Sequence, residues 1–238
     1  LRYPKILSLY NRFDEGPNKG KIIVSDDELK HPVFATIDPW DVYEKIHGMN
    51  IRIICDPNPL MILGGHRLPY DKWVTFAGRS DNAQLPANLL PYLYRKFTAN
   101  TFDAIFPDIA KVILFGEGYG AGIQKGGSYN YDQRFRLFDV LVYDGDANGR
   151  GWWLERENIE DVANKFGIST APYLGRMKRE DIVNWVKLGI TSDVAIAEGQ
   201  EHVPGELPIA EGVVCRPIEH MFFRNGDRVM WKIKTKDF

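Results

Sequence analysis

The stretch Glu-Lys-Ile-His-Gly-Met-Asn, residues 44–50, sets one amine between a carboxylate and an imidazole at the end of a strand-like run. A lysine is ordinarily a solvated surface charge, and with a free pKa near 10.4 it is an ammonium without nucleophilic character. To react it must be favoured in its neutral form by neighbouring cations or a metal ion. Four more islands carry ionisable or glycine-rich clusters: "GRSDN" around Arg79, "FGEGYG" around Glu117, "EGVV" beginning at Glu211, and "KIK" at Lys232–Lys234. Lys232 and Lys234, two apart on a strand, project from the same face and could meet an anion. Taken singly, each island reads as turn chemistry or as surface charge protecting a sheet edge.

The elements that must position these residues follow from the hydrophobic pattern. "KILSLY" and "GKIIVS" are strand-like and separated by the turn-rich "FDEGPNKG". "DVYEKIHGMNIRIICD" holds two β-type runs around the lysine stretch, and "KWVTFAG" is another. Leu89, Leu93 and Phe97 fall on one face of a helix. "KVILFGEGYGAG" is a strand running into a glycine bend, and "RFRLFDVLVYDG" a strand ended by an Asp-Gly turn. Two helices follow, stopped by Gly167 and Gly189. "AEGVVCRP" and the C-terminal stretch return to strands, with "RNGDR" as a hairpin signal. Trp152 and Trp153 read as packing residues. The class is α+β, antiparallel strands with peripheral helices.

Composition narrows the function classes. The 238 residues are 44% hydrophobic and 26% charged, enough to bury a core, and the net charge of −2 announces no bulk nucleic-acid affinity. Cys55 and Cys215 are the only cysteines, which excludes a disulfide framework or a CxxC metal site and fits an intracellular, cytoplasmic setting. No apolar run is long enough to span a bilayer, so no membrane partner is expected. "GEGYGAG" lacks the Gly-Lys-Ser/Thr of a P-loop, no G-x-G-x-x-G follows a strand, and the five histidines form no HExxH. Lys125, in "GIQKGGSYN", could touch phosphate or RNA but reads more readily as part of an exposed loop.

The order of the islands carries more than any one of them. K-x-x-G-x-N, a strand ending F-G-E, an aromatic strand with F-D, then E-G-V-V and K-x-K together resemble the covalent nucleotidyltransferase superfamily of ATP-dependent DNA ligases, RNA ligases and capping enzymes. The likeness runs from about Val42 to Lys234. Within that superfamily the lysine stretch is most similar to the RNA ligase 2 family, because His47 stands where DNA ligases and capping enzymes usually carry Asp. The resemblance implies an adenylyltransferase core of antiparallel sheets flanked by helices around an ATP cleft. It implies that Lys45 attacks the α-phosphate of ATP to form lysyl-AMP, with Glu44, His47 and Asn50 serving the active site and later steps. Adjacent strand residues face opposite sides, so the Glu44 carboxylate is not expected to point at the amine. Gly48 is implied to let backbone approach the nucleotide, Glu117 to bind ribose, and Phe138 to stack on adenine. Glu211 is implied to hold Mg²⁺ or Mn²⁺, and Lys232 and Lys234 to face the phosphates. Arg79 is implied to contact a nucleotide or RNA phosphate, with Arg67 a rival for that place.

Met49 departs from the family, which commonly has Thr there, and a thioether cannot donate a hydrogen bond. The chain ends four residues past Lys234, so residues 1–238 are expected to form one nucleotidyltransferase domain with no C-terminal accessory domain. The expected substrates are ATP and RNA carrying 5′-phosphate and 3′-hydroxyl ends at a nick in a duplex, handled by a monomer. A DNA ligase or capping enzyme would use the same core, and a non-catalytic nucleotide- or RNA-binding module would need no nucleophile.

Overall fold

Period-two alternation dominates the folded chain. The computed structural model describes residues 1–56, 73–107, 109–124, 129, 132–144, 150–199 and 208–238; Arg67 and Lys125 lie outside them. In chain order the strands are β1 (Leu7–Ser8), β2 (Trp40–Glu44), β3 (Met49–Cys55), β4 (Val74–Gly78), β5 (Ile109–Tyr119), β6 (Arg134–Asp144), β7 (Trp152–Trp153), β8 (Ser169–Thr170), β9 (Tyr173–Met177), β10 (Gly212–Arg216) and β11 (Trp231–Lys234). The helices are α1 (Val33–Thr36), α2 (Leu90–Lys96), α3 (Ala99–Ile105), α4 (Arg156–Phe166), α5 (Arg179–Leu188) and α6 (Asp193–Ala197). None is long and apolar enough to cross a membrane, among the described residues.

The chain forms two compact units. The first comprises Leu1–Tyr3 and Gly48–Thr170, the second Pro4–His47 and Ala171–Phe238. The backbone passes from the second to the first between His47 and Gly48.

The first unit is built on a sheet of order β4-β3-β5-β6-β7, antiparallel throughout, with β8 parallel to β6 off that path. One face carries Ile51, Ile53, Val112, Leu114, Phe135 and Leu137, packed against Leu89, Leu93 and Phe97 and against Ile159, Val162 and Phe166 of α4. Leu89, Leu93 and Phe97 are buried, as the helical spacing predicts. On β6 the core-facing positions switch from Phe135 and Leu137 to Val140 and Val142, a change from odd to even numbers. The cause is a bulge: Phe115 pairs with Asp139 and Gly116 with Leu137, leaving Phe138 without a place in the ladder. α4 ends at Gly167, whose carbonyl accepts a 2.7 Å hydrogen bond from Lys96 Nζ.

The second unit is built on a sheet of order β1-β11-β10-β2-β9. All its pairs are antiparallel except β1 with β11. Trp40, Val42, Val213, Cys215, Trp231 and Ile233 face its core together with Ile182, Val183 and Val186 of α5. Strict alternation therefore sends Lys232 and Lys234 to the opposite face, the arrangement expected from their spacing.

Several local expectations are corrected. "GKIIVS" forms no strand; Ile22 makes one isolated bridge to Arg12, and Asp26–Glu28 is a turn of 3₁₀ helix. "HMFF" likewise contributes only the bridge of Phe222 to Arg228, closed by the Asn225-Gly226 turn. Trp153 packs on Phe115 with ring centroids 5.4 Å apart, but Trp152 is 44% exposed. The edge position of β7 explains the difference, since among the described residues one face of that short strand has nothing to cover it.

Candidate functional site

In the second unit, backbone pairing brings three charged residues together. Lys45 follows β2 and its N–H donates to the Gly212 carbonyl at 2.9 Å, extending the ladder by one residue. Gly212 pairs with Lys234, and its φ of +149° and tight seat suit glycine; a Cβ there would lie 2.6 Å from the Lys234 Cα. That close approach sets Glu211 beside both lysines. Lys45 Nζ is 2.5 Å from Glu211 Oε2, and Lys234 Nζ is 2.6 Å from Glu211 Oε1. All three side chains are largely shielded, at 19%, 10% and 22% exposure for Lys45, Glu211 and Lys234. Burial pushes the Glu211 carboxyl up, but the charges and hydrogen bonds of the two ammoniums prevail and hold it below the ordinary glutamate range.

Glu44 goes the other way. It shares the core-facing parity of Trp40 and Val42 and is buried. Its Oε1 accepts from Ser192 Oγ at 2.5 Å and its Oε2 from the Val194 N–H at 3.1 Å. Ser192 is the N-cap of α6, accepting from the Ala195 N–H, so Glu44 ties β2 to the first turn of that helix. Burial raises the pKa of Glu44, only partly offset by these two hydrogen bonds. The alternation reading of Glu44 and Lys45 therefore holds: the carboxylate does not touch the amine. His47, half-buried, closes the second unit.

In the first unit, β3, β5 and β6 align a polar row on the face away from the core. Asn50 pairs with Glu117, and Glu117 with Arg136. Cross-strand partners share a face, so three polar side chains stand side by side. Asn50 Oδ1 is buried with no hydrogen-bond partner, an unmet acceptor in that row. Gly48 lies against the next strand: a Cβ on it would strike the Gly118 carbonyl oxygen and come within 2.9 Å of Glu117 Cγ. Phe138, at the bulge, meets Tyr3 edge-on with centroids 5.0 Å apart, and the Tyr3 hydroxyl donates to Asp139 Oδ2 at 2.7 Å.

Met49 packs against the hydrophobic core of the first unit and pairs with Gly118. A thioether suits that position, which explains the residue type. Arg79 is exposed on the turn after β4. Sequence reasoning overlooked the residue that fixes this turn: Arg52, buried, donates to the Gly78 carbonyl at 2.7 Å and to Asp81 Oδ1 at 2.6 Å. Arg136 was overlooked as well. Both interrupt otherwise apolar strands, "NIRII" and "RFRLF", and a charged residue inside a strand core was the available signal.

Among the described residues, no group of three or more His, Cys, Asp or Glu could hold a metal ion. Glu211 supplies a single shielded, ionised carboxylate in the second unit. That donor chemistry suits a hydrated hard cation shared with substrate phosphates, and does not suit an all-protein cage.

The fold is that of the ligase-type nucleotidyltransferases, an α+β arrangement of mainly antiparallel sheets. Residues 38–234 match the family model for RNA ligase, and the chain belongs to that family. Solved structures agree on the fold. A mutant of the Naegleria gruberi RNA ligase with ATP and Mn superposes with a TM-score of 0.56 at 15% identity, over 86% of this chain and 52% of that one. The Naegleria gruberi RNA ligase with PPi gives 0.55 at 16% identity, over the same 86% and 52%. Another mutant with AMP and Mn gives 0.56 at 15% over 86% and 52%. The chain thus spans about half the length of the structures it matches.

Proposed function

We propose that this chain is the catalytic core of an ATP-dependent RNA ligase of the RNA ligase 2 type, its two units serving as one nucleotidyltransferase domain in a monomer. The observation that carries the reading is Glu211 bridging Lys45 and Lys234 from its two oxygens, the lysines of the first and last motifs. A lone surface lysine has no need of such company. The Naegleria gruberi structures, with ATP, AMP, Mn or PPi, support the choice of nucleotide and metal.

The reaction has three steps. The neutral Lys45 amine attacks the α-phosphorus of ATP; a P–N bond forms, the bond to pyrophosphate breaks with its electron pair, and the amine's proton passes to solvent. A 5′-phosphate of RNA then displaces the lysine, taking AMP. Finally a 3′-hydroxyl attacks the adenylylated end, forming a phosphodiester and releasing AMP. Lys232 and Lys234 counter the charge that develops on the phosphates. Glu211, with phosphate oxygens and water, would hold Mg²⁺ or Mn²⁺, whose charge neutralises the phosphates and favours the uncharged amine. Glu117 and Asn50 would bind the sugar, Phe138 would stack on adenine, and Arg79 on its braced turn would reach a phosphate. His47 would serve the later steps. Glu44 acts as a positioning residue, fixing the end of β2 from which Lys45 projects. The two free, buried thiols suit a reducing cytoplasm.

Sealing of a nicked RNA duplex with a 5′-phosphate and 3′-hydroxyl, in ATP and Mg²⁺ or Mn²⁺, tests the proposal. Joined product that Lys45→Ala abolishes supports it. Joining that needs no ATP, or that survives Lys45→Ala, refutes it.

A further inference from the structure

Tyr3 lies far in sequence from every motif, yet it belongs to the first unit, and the chain passes to the second at Pro4. Its short segment is pinned at both ends. The Leu1 carbonyl accepts from Arg52 Nη1 at 2.6 Å. The Tyr3 ring is buried among Phe115, Phe138 and Trp153, with centroids 5.1, 5.0 and 5.8 Å away. Its contacts with Phe138 and Trp153 are edge-to-face, the favoured geometry for aromatic pairs. The Tyr3 hydroxyl donates to Asp139 Oδ2 at 2.7 Å, and that side chain is fully buried. A hydrogen bond in so dry a setting is costly to lose.

Both contacts fall where the ladder of β5 and β6 is interrupted. Phe115 pairs with Asp139 and Gly116 with Leu137, so Phe138 stands outside the register. A bulged residue is aimed by what packs on it, because regular cross-strand bonds no longer fix its backbone. Tyr3 grips the bulge twice, by the ring of Phe138 and by the carboxyl of the residue that follows. An apolar residue at position 3 could cover the same rings, but it could not hold Asp139. An edge-to-face neighbour covers at most one face of the Phe138 ring, and Phe138 is half-buried. The other face is left for a base. We infer that Tyr3 is a positioning residue for the base site, fixing the plane of the Phe138 ring against which adenine stacks. The inference rests on the reading of Phe138 as the stacking aromatic.

The test is self-adenylylation by the full chain, with AMP and ribose 5-phosphate as competitors of ATP. Phe138→Ala should weaken inhibition by AMP about tenfold, within the range for a lost base–aromatic stack, and leave ribose 5-phosphate unchanged. Tyr3→Leu should weaken AMP about fivefold, and Tyr3→Phe, which keeps the ring and loses the hydroxyl, about twofold. In both Tyr3 variants the KM for ATP should rise while the labelling rate at saturating ATP is unaltered. On the Phe138→Ala background neither should add anything, since both act through one ring. Tyr3→Phe keeps the packing, so it decides the question if Tyr3→Leu fails to fold. AMP inhibition unchanged by Tyr3→Phe, an equal loss for ribose 5-phosphate, or a full further loss on the Phe138→Ala background would each overturn the inference. Phe138→Ala that leaves AMP inhibition intact would instead overturn the stacking reading beneath it.

Discussion

Lys45 Nζ lies 2.5 Å from Glu211 Oε2, across 166 positions of sequence, while the other oxygen of that carboxylate holds Lys234. One shielded anion thus orients both lysines. Replacing it by alanine leaves two cations facing each other without their common counter-charge. Glu211→Ala should lower the rate of self-adenylylation by about 10–100-fold, the range expected for a lost charged hydrogen bond. Glu211→Gln, which keeps the shape and one acceptor, should recover part of it. Single-turnover labelling with ATP measures both.

The same pair makes stability depend on pH. Glu211 has a folded-state pKa below that of the unfolded chain, so the contribution is complete above the ordinary glutamate value of about 4.3. It is lost as pH falls through the lower, folded-state value. Urea midpoints of the parent chain and Glu211→Gln should therefore differ most at neutral pH and converge in acid. A gap that widens in acid would contradict the assignment.

Ser192 works for both the helix and the buried carboxylate of Glu44. Ser192→Ala removes the cap of α6 and the 2.5 Å hydrogen bond to Glu44. It should cost about 1–3 kcal/mol in denaturant unfolding. Because Glu44 is raised above its unfolded value, its own contribution has the opposite sign to that of Glu211: it favours the fold below the ordinary glutamate pKa and is lost as pH rises through the folded value. Glu44→Gln should accordingly gain on the parent chain as pH rises through that window.

Gly48 cannot carry a side chain without moving the strand that bears Glu117. Gly48→Ala should lower stability by about 1–3 kcal/mol, the usual cost of overpacking. It should also raise the KM for ATP in self-adenylylation. An unaltered KM would separate Gly48 from the nucleotide site.

Much of this was legible in the sequence, for identifiable reasons. Alternation told that Lys232 and Lys234 share a face and that Glu44 and Lys45 do not, because a pleated strand leaves no other option. The α+β class and the stop at Gly167 followed from period and turn residues. The bulge at Phe138 was not legible, since nothing local distinguishes it; it is revealed only by pairing with β5. "GKIIVS" misled because β-branched residues suit a strand only if a partner edge is available, and Ile22 finds just one bridge. Arg52 and Arg136 were missed because their partners, Asp81 and Tyr119, are set by tertiary structure. The Glu211 bridge lies between these cases: motif order singles out its three residues, but their contact depends on the pairing of Gly212 with Lys234.

The most direct test of the central claim is covalent labelling. The chain and its Lys45→Ala variant would be incubated with ATP labelled at the α-phosphate, with Mg²⁺ or Mn²⁺, and resolved under denaturing conditions. The account predicts an acid-labile label on the parent chain that Lys45→Ala abolishes and that added pyrophosphate reverses. Folded parent protein that takes no label with either metal, or a label that survives Lys45→Ala, would contradict it.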